Sequence, residues 1–258
     1  MIDAIADRLW SAQKTGSPCA PPSDDHPDLD VETAYAVQDR IIERRRRDQS
    51  AHPVGHKIGL TSFAIQNWLG VDEPDFGVLL DEMVVADGHV VPTGQLLQPR
   101  IEAEVAFVLG DELSGPGVTT ADVVRATDHV LPALEIIDSR IADWDITYED
   151  TIADNASSGL FVLGNSPKRL PDVELRTCGM RLTRNGQIAS TGAGAACLGH
   201  PINAVAWLAN KRATYDRHLD AGDIVLSGAV GPAVDVRPGD DFRADIAGLG
   251  TTRIRFSN

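Results

Sequence analysis

From Val54 to the C-terminus, the sequence is a succession of short apolar runs separated by glycine, proline and aspartate. Apolar runs of this length between turn-forming residues are typical of β-strands. The runs do not alternate regularly with helical segments, which argues against a Rossmann-type parallel sheet. The pattern therefore predicts an α+β fold, with a mixed and largely antiparallel β architecture and peripheral helices.

Residues 1–50 have a different character. Apolar residues recur at helical spacing from Ile2 to Trp10, and Gly16 is a suitable stop. After a proline-rich connection, Asp30 is a good N-cap for a second helix. We therefore expect a helical N-terminal cap region at 1–50 and a β domain at 51–258.

Three further local signals lie within the β domain. The pair Asn185-Gly186 between two strand-like runs predicts a hairpin with a type I′ turn. The segment Thr119–Val130 is expected to be helical, and Pro201 can open another helix.

The run PRIEAEVAFVLG is a predicted strand that carries two glutamates. Residues two apart in a strand share a face, so Glu102 and Glu104 point the same way. Adjacent carboxylates repel each other, and burial makes their ionisation costlier. Three outcomes relieve the conflict: a proton is retained, a cation is bound, or the face is solvated.

A third carboxylate, Glu135, lies in the apolar run LPALEIID. Alone it is a weak signal, since strands often end in acidic residues. Together, three carboxylates can hold a hard cation such as Mg²⁺ or Mn²⁺ and leave positions open for a chelating substrate. The sequence has no H-E-x-x-H motif and no cysteine cluster, which argues against zinc.

Other polar residues are candidates with two interpretations each. Lys57 lies between two glycines in GHKIGLT, so it either meets a ligand or faces solvent on an edge strand. Asp75, in VDEPDFG, either supports a turn or offers a free carboxylate. Ser157 and Ser158, in DNASSG, either bind a ligand or cap the following strand.

The net charge of −15 disfavours partners that carry negative charge, so we expect neither nucleic acid nor a membrane surface to be bound. Three cysteines without C-x-x-C spacing indicate reduced thiols. The sequence has no apolar run long enough for a membrane span and no signal-peptide pattern at its start. We expect a soluble, cytoplasmic protein.

The motifs GHKIGLT, VDEPDFG, PRIEAEVAFVL, LPALEIIDSRI, DTIADNASSG, LTRNG and GDIVLSGAVGP occur in this order. Together they resemble the 2-keto-4-pentenoate hydratase family of the fumarylacetoacetate hydrolase superfamily. The resemblance covers the chain from about residue 27 onward. It implies a mixed β-roll that forms the catalytic domain at 51–258, and it implies homo-oligomers.

The resemblance also implies roles for particular residues. Metal ligands for Mg²⁺ or Mn²⁺ correspond to Glu102, Glu104 and Glu135. The catalytic lysine and aspartate correspond to Lys57 and Asp75. Substrate contacts are expected at Leu60, Ser157 and Ser158.

The implied activity is addition of water to 2-hydroxypenta-2,4-dienoate, giving 4-hydroxy-2-oxopentanoate in the meta-cleavage catabolism of aromatic compounds. One alternative is decarboxylation of 4-oxalocrotonate or hydration of 2-oxohept-3-ene-1,7-dioate, and such diacids need a distal cation. Another is C–C hydrolysis of an acylpyruvate, with His26, His52 or His56 as a candidate base. A third is a non-catalytic metal-binding protein that supports a partner enzyme of the same pathway.

Overall fold

The computed structural model describes the backbone of residues 1–258 and all side chains except those of residues 68 and 69. Its α-helices are α1 (Ile2–Thr15), α2 (Pro22–Asp25), α3 (Val31–Gln49), α4 (Phe63–Leu69), α5 (Thr120–Ala126), α6 (Tyr148–Ala153) and α7 (Pro201–Ala213). Its β-strands are β1 (Pro53–Gly59), β2 (Asp75–Leu80), β3 (Val84–Val85), β4 (Val90–Val91), β5 (Arg100–Leu109), β6 (Thr127–Ile137), β7 (Ser158–Leu163), β8 (Gly179–Arg184), β9 (Gln187–Ala193), β10 (Ile224–Ala229), β11 (Val234–Asp235), β12 (Asp241–Ile246) and β13 (Gly250–Phe256).

The strands of the described chain form a large and a small sheet. The large sheet has the order β2-β1-β10-β5-β6-β7-β3, and β11 also pairs with β5. The small sheet has the order β4-β13-β12-β8-β9. Most neighbours are antiparallel, whereas β1–β10, β3–β7 and β4–β13 are parallel. The prediction of an α+β fold with mixed, largely antiparallel sheets is confirmed.

Strand β5 lies inside the large sheet and is covered on both faces. One face carries Ile101, Val105 and Phe107, which are buried in the larger apolar cluster of the protein. On the opposite face, Ala106 belongs to a second apolar cluster. Because side chains alternate between faces, Glu102 and Glu104 share the face of Ala106. Strand β5 is therefore buried on both sides although it carries two glutamates, and Glu104 is fully buried, so solvation of this face does not relieve the repulsion.

The two main N-terminal helices are present where the sequence predicts them. Gly16 adopts the left-handed conformation that ends α1, with φ 70°. The Asp30 carboxylate accepts a hydrogen bond of 2.8 Å from the Thr33 amide and caps α3. Buried side chains of both helices belong to the same apolar cluster as one face of the large sheet. The division of the chain at residue 50 stays a prediction.

The predicted hairpin is confirmed, since Asn185 and Gly186 both have positive φ between β8 and β9. The predicted helix at Thr119–Val130 is too long. Helix α5 ends at Ala126, and Val130 lies in β6 opposite Phe107. Pairing with β5 overrides the local helical pattern there. The sequence pattern does not predict α4 and α6, which are only seven and six residues long.

Within the described chain, no helix combines the length and apolar character that a membrane span requires.

Candidate active site

Five charged side chains share one face of the large sheet. Strand pairing explains why. Glu102 in β5 lies directly opposite Glu135 in β6, and Glu104 is two residues along on the same face. Lys57 in β1 reaches this face through the register Lys57–Leu226–Ala106 across β10. Asp75 begins β2 opposite Gly59, two residues after Lys57.

The three glutamates form a compact carboxylate cluster, in which one oxygen of each lies within 4.8 Å of the others. Glu104 and Glu135 are buried, and Glu102 is partly buried. The backbone amide of Gly228 donates a 2.8 Å hydrogen bond to Glu104 Oε2. This amide lies where the register of β10 shifts against β5, and Gly228 has φ 104°, which glycine adopts readily.

Other oxygens of this cluster are buried and accept no hydrogen bond from the described residues: Glu104 Oε1 and both oxygens of Glu135, of which Oε1 forms an ion pair with Lys57. Burial, followed by repulsion from Glu135, raises the pKa of Glu102 to about 7 and that of Glu104 well above its usual value. Burial also raises the pKa of Glu135, against the lowering effect of Lys57. Unpartnered carboxylate oxygens that converge in this way fit a hard divalent cation.

Lys57 is a buried cation beside this cluster. Its Nζ lies 3.3 Å from Glu135 Oε1. Burial is the largest single effect and lowers the pKa of Lys57, but Glu135, Asp75, Glu102 and Glu104 together raise it more, so the pKa is raised overall and the ammonium form is favoured. Strand β1 lies between β2 and β10, so the alternative of a solvent-facing lysine on an edge strand is wrong.

Asp75 is a buried carboxylate with one oxygen uncommitted. Thr151 in α6 donates a 3.2 Å hydrogen bond to Asp75 Oδ2. Asp75 Oδ1 has no hydrogen-bond partner in the described part of the chain. Burial raises the pKa of Asp75, although Lys57 opposes this effect. The carboxylate occupies space that Gly59 leaves open, because a Cβ at that position would overlap Asp75 Oδ1.

Ser157 ends a turn with an unusual backbone. Asn155, Ala156 and Ser157 have φ of 55°, 50° and 53°, so three consecutive residues other than glycine are left-handed. The side-chain amide of Asn155 accepts a 2.8 Å hydrogen bond from the backbone N–H of Val78 in β2 and donates a 3.0 Å hydrogen bond to the carbonyl oxygen of Val78. The turn packs on Gly77, the neighbour of Lys57 across the strands, where a Cβ would lie 2.5 Å from Asn155 O.

The serines of this turn differ in their contacts. Ser157 Oγ is buried and has no partner among the described atoms. In contrast, Ser158 Oγ donates a 2.7 Å hydrogen bond to Asn155 O within the turn. Leu60 follows Gly59 at the end of β1, has φ 55°, and accepts a 2.7 Å hydrogen bond from Gln66.

The candidate histidines are not part of this arrangement. His56 lies on the opposite face of β1 from Lys57, as expected, and its ring contacts Phe76 edge-on. His52 is exposed and lies 3.3 Å from Asp81. His26 is partly exposed just after α2. Among the described contacts, none of these rings hydrogen-bonds to the carboxylate cluster.

Sequence reasoning missed three features that surround these residues. They are the Gly228 amide, the Thr151 hydroxyl, and a buried ion pair between Arg140 and Asp154 behind the turn. Arg140 lies in the motif LPALEIIDSRI and Asp154 in DTIADNASSG, so both residues are part of stretches that carry the family resemblance. Their pairing depends on tertiary structure and has no local signal.

A family model described as fumarylacetoacetate (FAA) hydrolase C-terminal matches residues 56–257. The chain is 49% identical over 256 residues to 2-keto-4-pentenoate hydratase of Paraburkholderia xenovorans strain LB400, with 99% of this chain and 95% of that protein covered. The chain belongs to the 2-keto-4-pentenoate hydratase family of the fumarylacetoacetate hydrolase superfamily. The resemblance that the sequence motifs carry is thereby confirmed.

Other members of the superfamily widen the comparison. The chain is 43% identical to 2-hydroxyhexa-2,4-dienoate hydratase of Comamonas testosteroni, with 99% of this chain and 97% of that protein covered. A solved structure of 4-oxalocrotonate decarboxylase from Pseudomonas putida G7, complexed with magnesium and adipate, has a TM-score of 0.95 and 39% identity. That alignment covers 99% of this chain and 97% of the decarboxylase. The fold is thus shared with a metal-binding enzyme.

The carboxylate cluster generates a first prediction. Replacing Glu104 with Gln removes one ligand charge, so we expect Mn²⁺ affinity to fall by at least about tenfold, as loss of groups around a metal commonly does. Titration of free Mn²⁺ by electron paramagnetic resonance measures this. The exposed Glu112→Gln variant is the control. Equal Mn²⁺ affinity in Glu104→Gln and the parent protein would contradict the assignment.

Gly59 generates a second prediction. In Gly59→Ala the new methyl group must displace the Asp75 carboxylate, and a misplacement of about 1 Å can cost about 10²-fold in rate. We therefore expect a large fall in kcat with a folded protein by circular dichroism. Gly94→Ala is the matched control, since nothing lies within 4 Å of a Cβ there. Equal kcat values for the two variants would refute this role of Gly59.

Proposed function

We propose that this chain is a metal-dependent hydratase that converts 2-hydroxypenta-2,4-dienoate and water into 4-hydroxy-2-oxopentanoate. The main support for the proposal is one face of the large sheet. Three carboxylates, a buried lysine, and an aspartate with only one hydrogen-bonded carboxylate oxygen converge on this face. The names of the relatives, with nearly complete coverage of both chains, support the same substrate class.

Glu102, Glu104 and Glu135 would hold Mg²⁺ or Mn²⁺. When bound, such an ion supplies Lewis-acid polarisation of the substrate's carboxylate and 2-oxygen. The charge on Lys57, 3.3 Å from Glu135, complements the same anionic group of the substrate. Chelating 2-oxo acids present hard oxygen ligands, and these suit either ion.

Asp75 and Lys57 carry the proton transfers. Asp75 Oδ1, which has no partner in the described chain, accepts the proton of the 2-hydroxyl group. A proton delivered to C5 then gives the α,β-unsaturated ketone, and the Lys57 ammonium is the nearby donor. Water adds at C4 and its proton passes to Lys57, while C3 takes the proton that Asp75 holds, so both residues return to their starting protonation states. Each positioned proton transfer is typically worth about 10²–10⁴ in rate.

The remaining candidates orient the substrate. The Ser157 hydroxyl is buried and without a partner among the described residues, so it is available to the substrate carboxylate or to the attacking water. Ser158 supports the turn through Asn155 O and takes a secondary role. Leu60, next to Gly59, offers apolar contact to the carbon chain.

Decarboxylation of a diacid is the second candidate function, because a decarboxylase structure resembles this fold closely. A distal carboxylate needs a free cation. Arg100 shares the ligand face of β5, but its guanidinium lies 3.2 Å from Asp235 and 4.6 Å from the centre of the Trp144 ring. Because this arginine already has an anionic and an aromatic partner, it is less available to a distal carboxylate, which supports a monoacid substrate over a diacid.

A substrate panel tests the function. With Mg²⁺ or Mn²⁺, we expect loss of dienol ultraviolet absorbance for the pentadienoate and 4-hydroxy-2-oxopentanoate as the product by NMR. Turnover of hexadienoate measures the tolerance for a longer carbon chain. We expect 4-oxalocrotonate to react at least about tenfold more slowly than the pentadienoate, because a pocket without a partner for the second carboxylate discriminates strongly against it. Release of CO₂ as the main reaction, or an unchanged pentadienoate, would rule the hydratase out.

Asp75 allows a sharper test within the same assay. Asp75→Asn keeps the shape of the side chain but removes the base, so kcat should fall by about 10²–10⁴ while Mn²⁺ binding persists. The exposed Asp111→Asn variant is the control. Retention of kcat in Asp75→Asn would exclude Asp75 as the base.

A homo-oligomeric assembly, a cytoplasmic location and a partner enzyme of the same pathway stay predictions from the family resemblance. Light scattering on the purified protein measures the first of these.

A further inference from the structure

A buried ion pair lies behind the Asn155–Ser157 turn. Arg140 Nε is 2.5 Å from Asp154 Oδ1, and the side chains of both residues are less than one-tenth exposed. The Arg140 backbone amide also donates to Asp154 Oδ2 at 3.0 Å. The proposed reaction uses neither residue, and burying two charges is costly unless their geometry serves a purpose.

The guanidinium of Arg140 also ties the turn together at both ends. It donates to the carbonyl oxygen of Asp154, where the turn begins, and at 2.8 Å to that of Ser158, where it ends. A further hydrogen bond goes to the carbonyl oxygen of Asp138, just after β6. One planar group therefore fixes the turn to the strand that carries Glu135.

The turn needs such support because its backbone is strained. The left-handed conformation costs about 1–2 kcal/mol for each residue other than glycine. Strained segments persist only where the surroundings over-determine them. Here the Asn155 amide fixes the turn to Val78 on one side, and Arg140 fixes it on the other.

The N-terminal helices shield this ion pair. Leu9 and Trp10 of α1 and Ile41 of α3 line a small cavity of about 20 Å³ together with Arg140 and Asp154. A cavity of that size holds about one water molecule. Because both side chains are almost fully buried, the attraction between their charges is stronger than it would be at the surface.

We propose that Arg140 and Asp154 are positioning residues that hold the Ser157 hydroxyl where it binds the substrate or the attacking water. The inference rests on the proposed function of Ser157. Few contacts connect the ion pair to Ser157. The Arg140 guanidinium fixes the carbonyl groups at the two ends of the turn, and the fixed turn holds the Ser157 side chain in position. Neither residue touches the substrate.

A double-mutant cycle on the Mn²⁺-loaded full-length chain tests this. In the parent protein, Asp154→Asn should lower kcat/KM for the dienoate about tenfold or more. In a Ser157→Ala background the same change should cost less than about twofold, because residues that act through one group are not additive. Mn²⁺ affinity should stay within about twofold in all these variants, since the ligands lie on β5 and β6.

Two further variants test the interpretation, one at Arg140 and one at an unrelated ion pair. Arg140→Lys keeps the positive charge but loses the planar guanidinium, so its effect on kcat/KM should show the same dependence on Ser157. This variant replaces Asp154→Asn in the cycle if Asp154→Asn does not fold. Asp39→Asn breaks the exposed Arg217–Asp39 pair, whose atoms are 2.7 Å apart, and should leave kcat/KM unchanged. Equal losses in both Ser157 backgrounds, or no loss in a folded Asp154→Asn or Arg140→Lys protein, would overturn the proposal.

A binding cycle separates this inference from the proposed function. Oxalate is a small chelating dianion whose affinity for the Mn²⁺-loaded protein can be measured by calorimetry without turnover. We expect Asp154→Asn to weaken oxalate binding only when Ser157 is present. If the dienoate is not turned over, the hydratase function is ruled out, but the oxalate-binding cycle can still be measured. Additive effects of Asp154→Asn and Ser157→Ala on oxalate affinity would refute the positioning role.

Discussion

The register between β5 and β6 is the constraint on which the site depends. It places Glu102 directly opposite Glu135, with Glu104 on the same face. Burial raises the pKa values of all three carboxylates, and repulsion from Glu135 adds to the rise at Glu102 and Glu104. A shift of one residue would move a whole strand of side chains to the other face. The apolar residues that alternate with the glutamates prevent that shift, because they are buried on the opposite side.

The surrounding residues make sense as compensation for this concentration of negative charge. Lys57 supplies one positive charge and the Gly228 amide one hydrogen bond. These contacts still leave carboxylate oxygens without partners in the described chain. A divalent cation matches what remains, since two positive charges and several open coordination positions satisfy oxygens that a lysine alone cannot reach. In the proposed function, the coordination positions that the three glutamates leave open would receive the chelating substrate.

The sequence predicts those parts of the fold that local patterns control. The shared face of Glu102 and Glu104 follows from strand periodicity, and the Asn185-Gly186 hairpin follows from turn chemistry. The approach of Glu135 depends on long-range pairing, and the family motifs, not periodicity, indicated it. The left-handed turn had no local signal, because Ala156 and Ser157 do not favour positive φ. Tertiary pairing likewise converted Thr127–Val130 from predicted helix to strand.

Hydratases and a decarboxylase share this framework, so the carboxylate face cannot by itself determine which reaction follows. In the mechanism that we propose, both reactions begin from a chelated 2-oxo or 2-hydroxy acid, and the three glutamates with Lys57 and Asp75 would serve that common step. The difference must arise at the far end of the substrate, where a monoacid presents carbon and a diacid presents charge. Arg100 on the ligand face is already paired with Asp235 and stacked on Trp144. An arginine that already has these two partners is less available to the charged end of a diacid, and for this reason we propose the monoacid as the substrate.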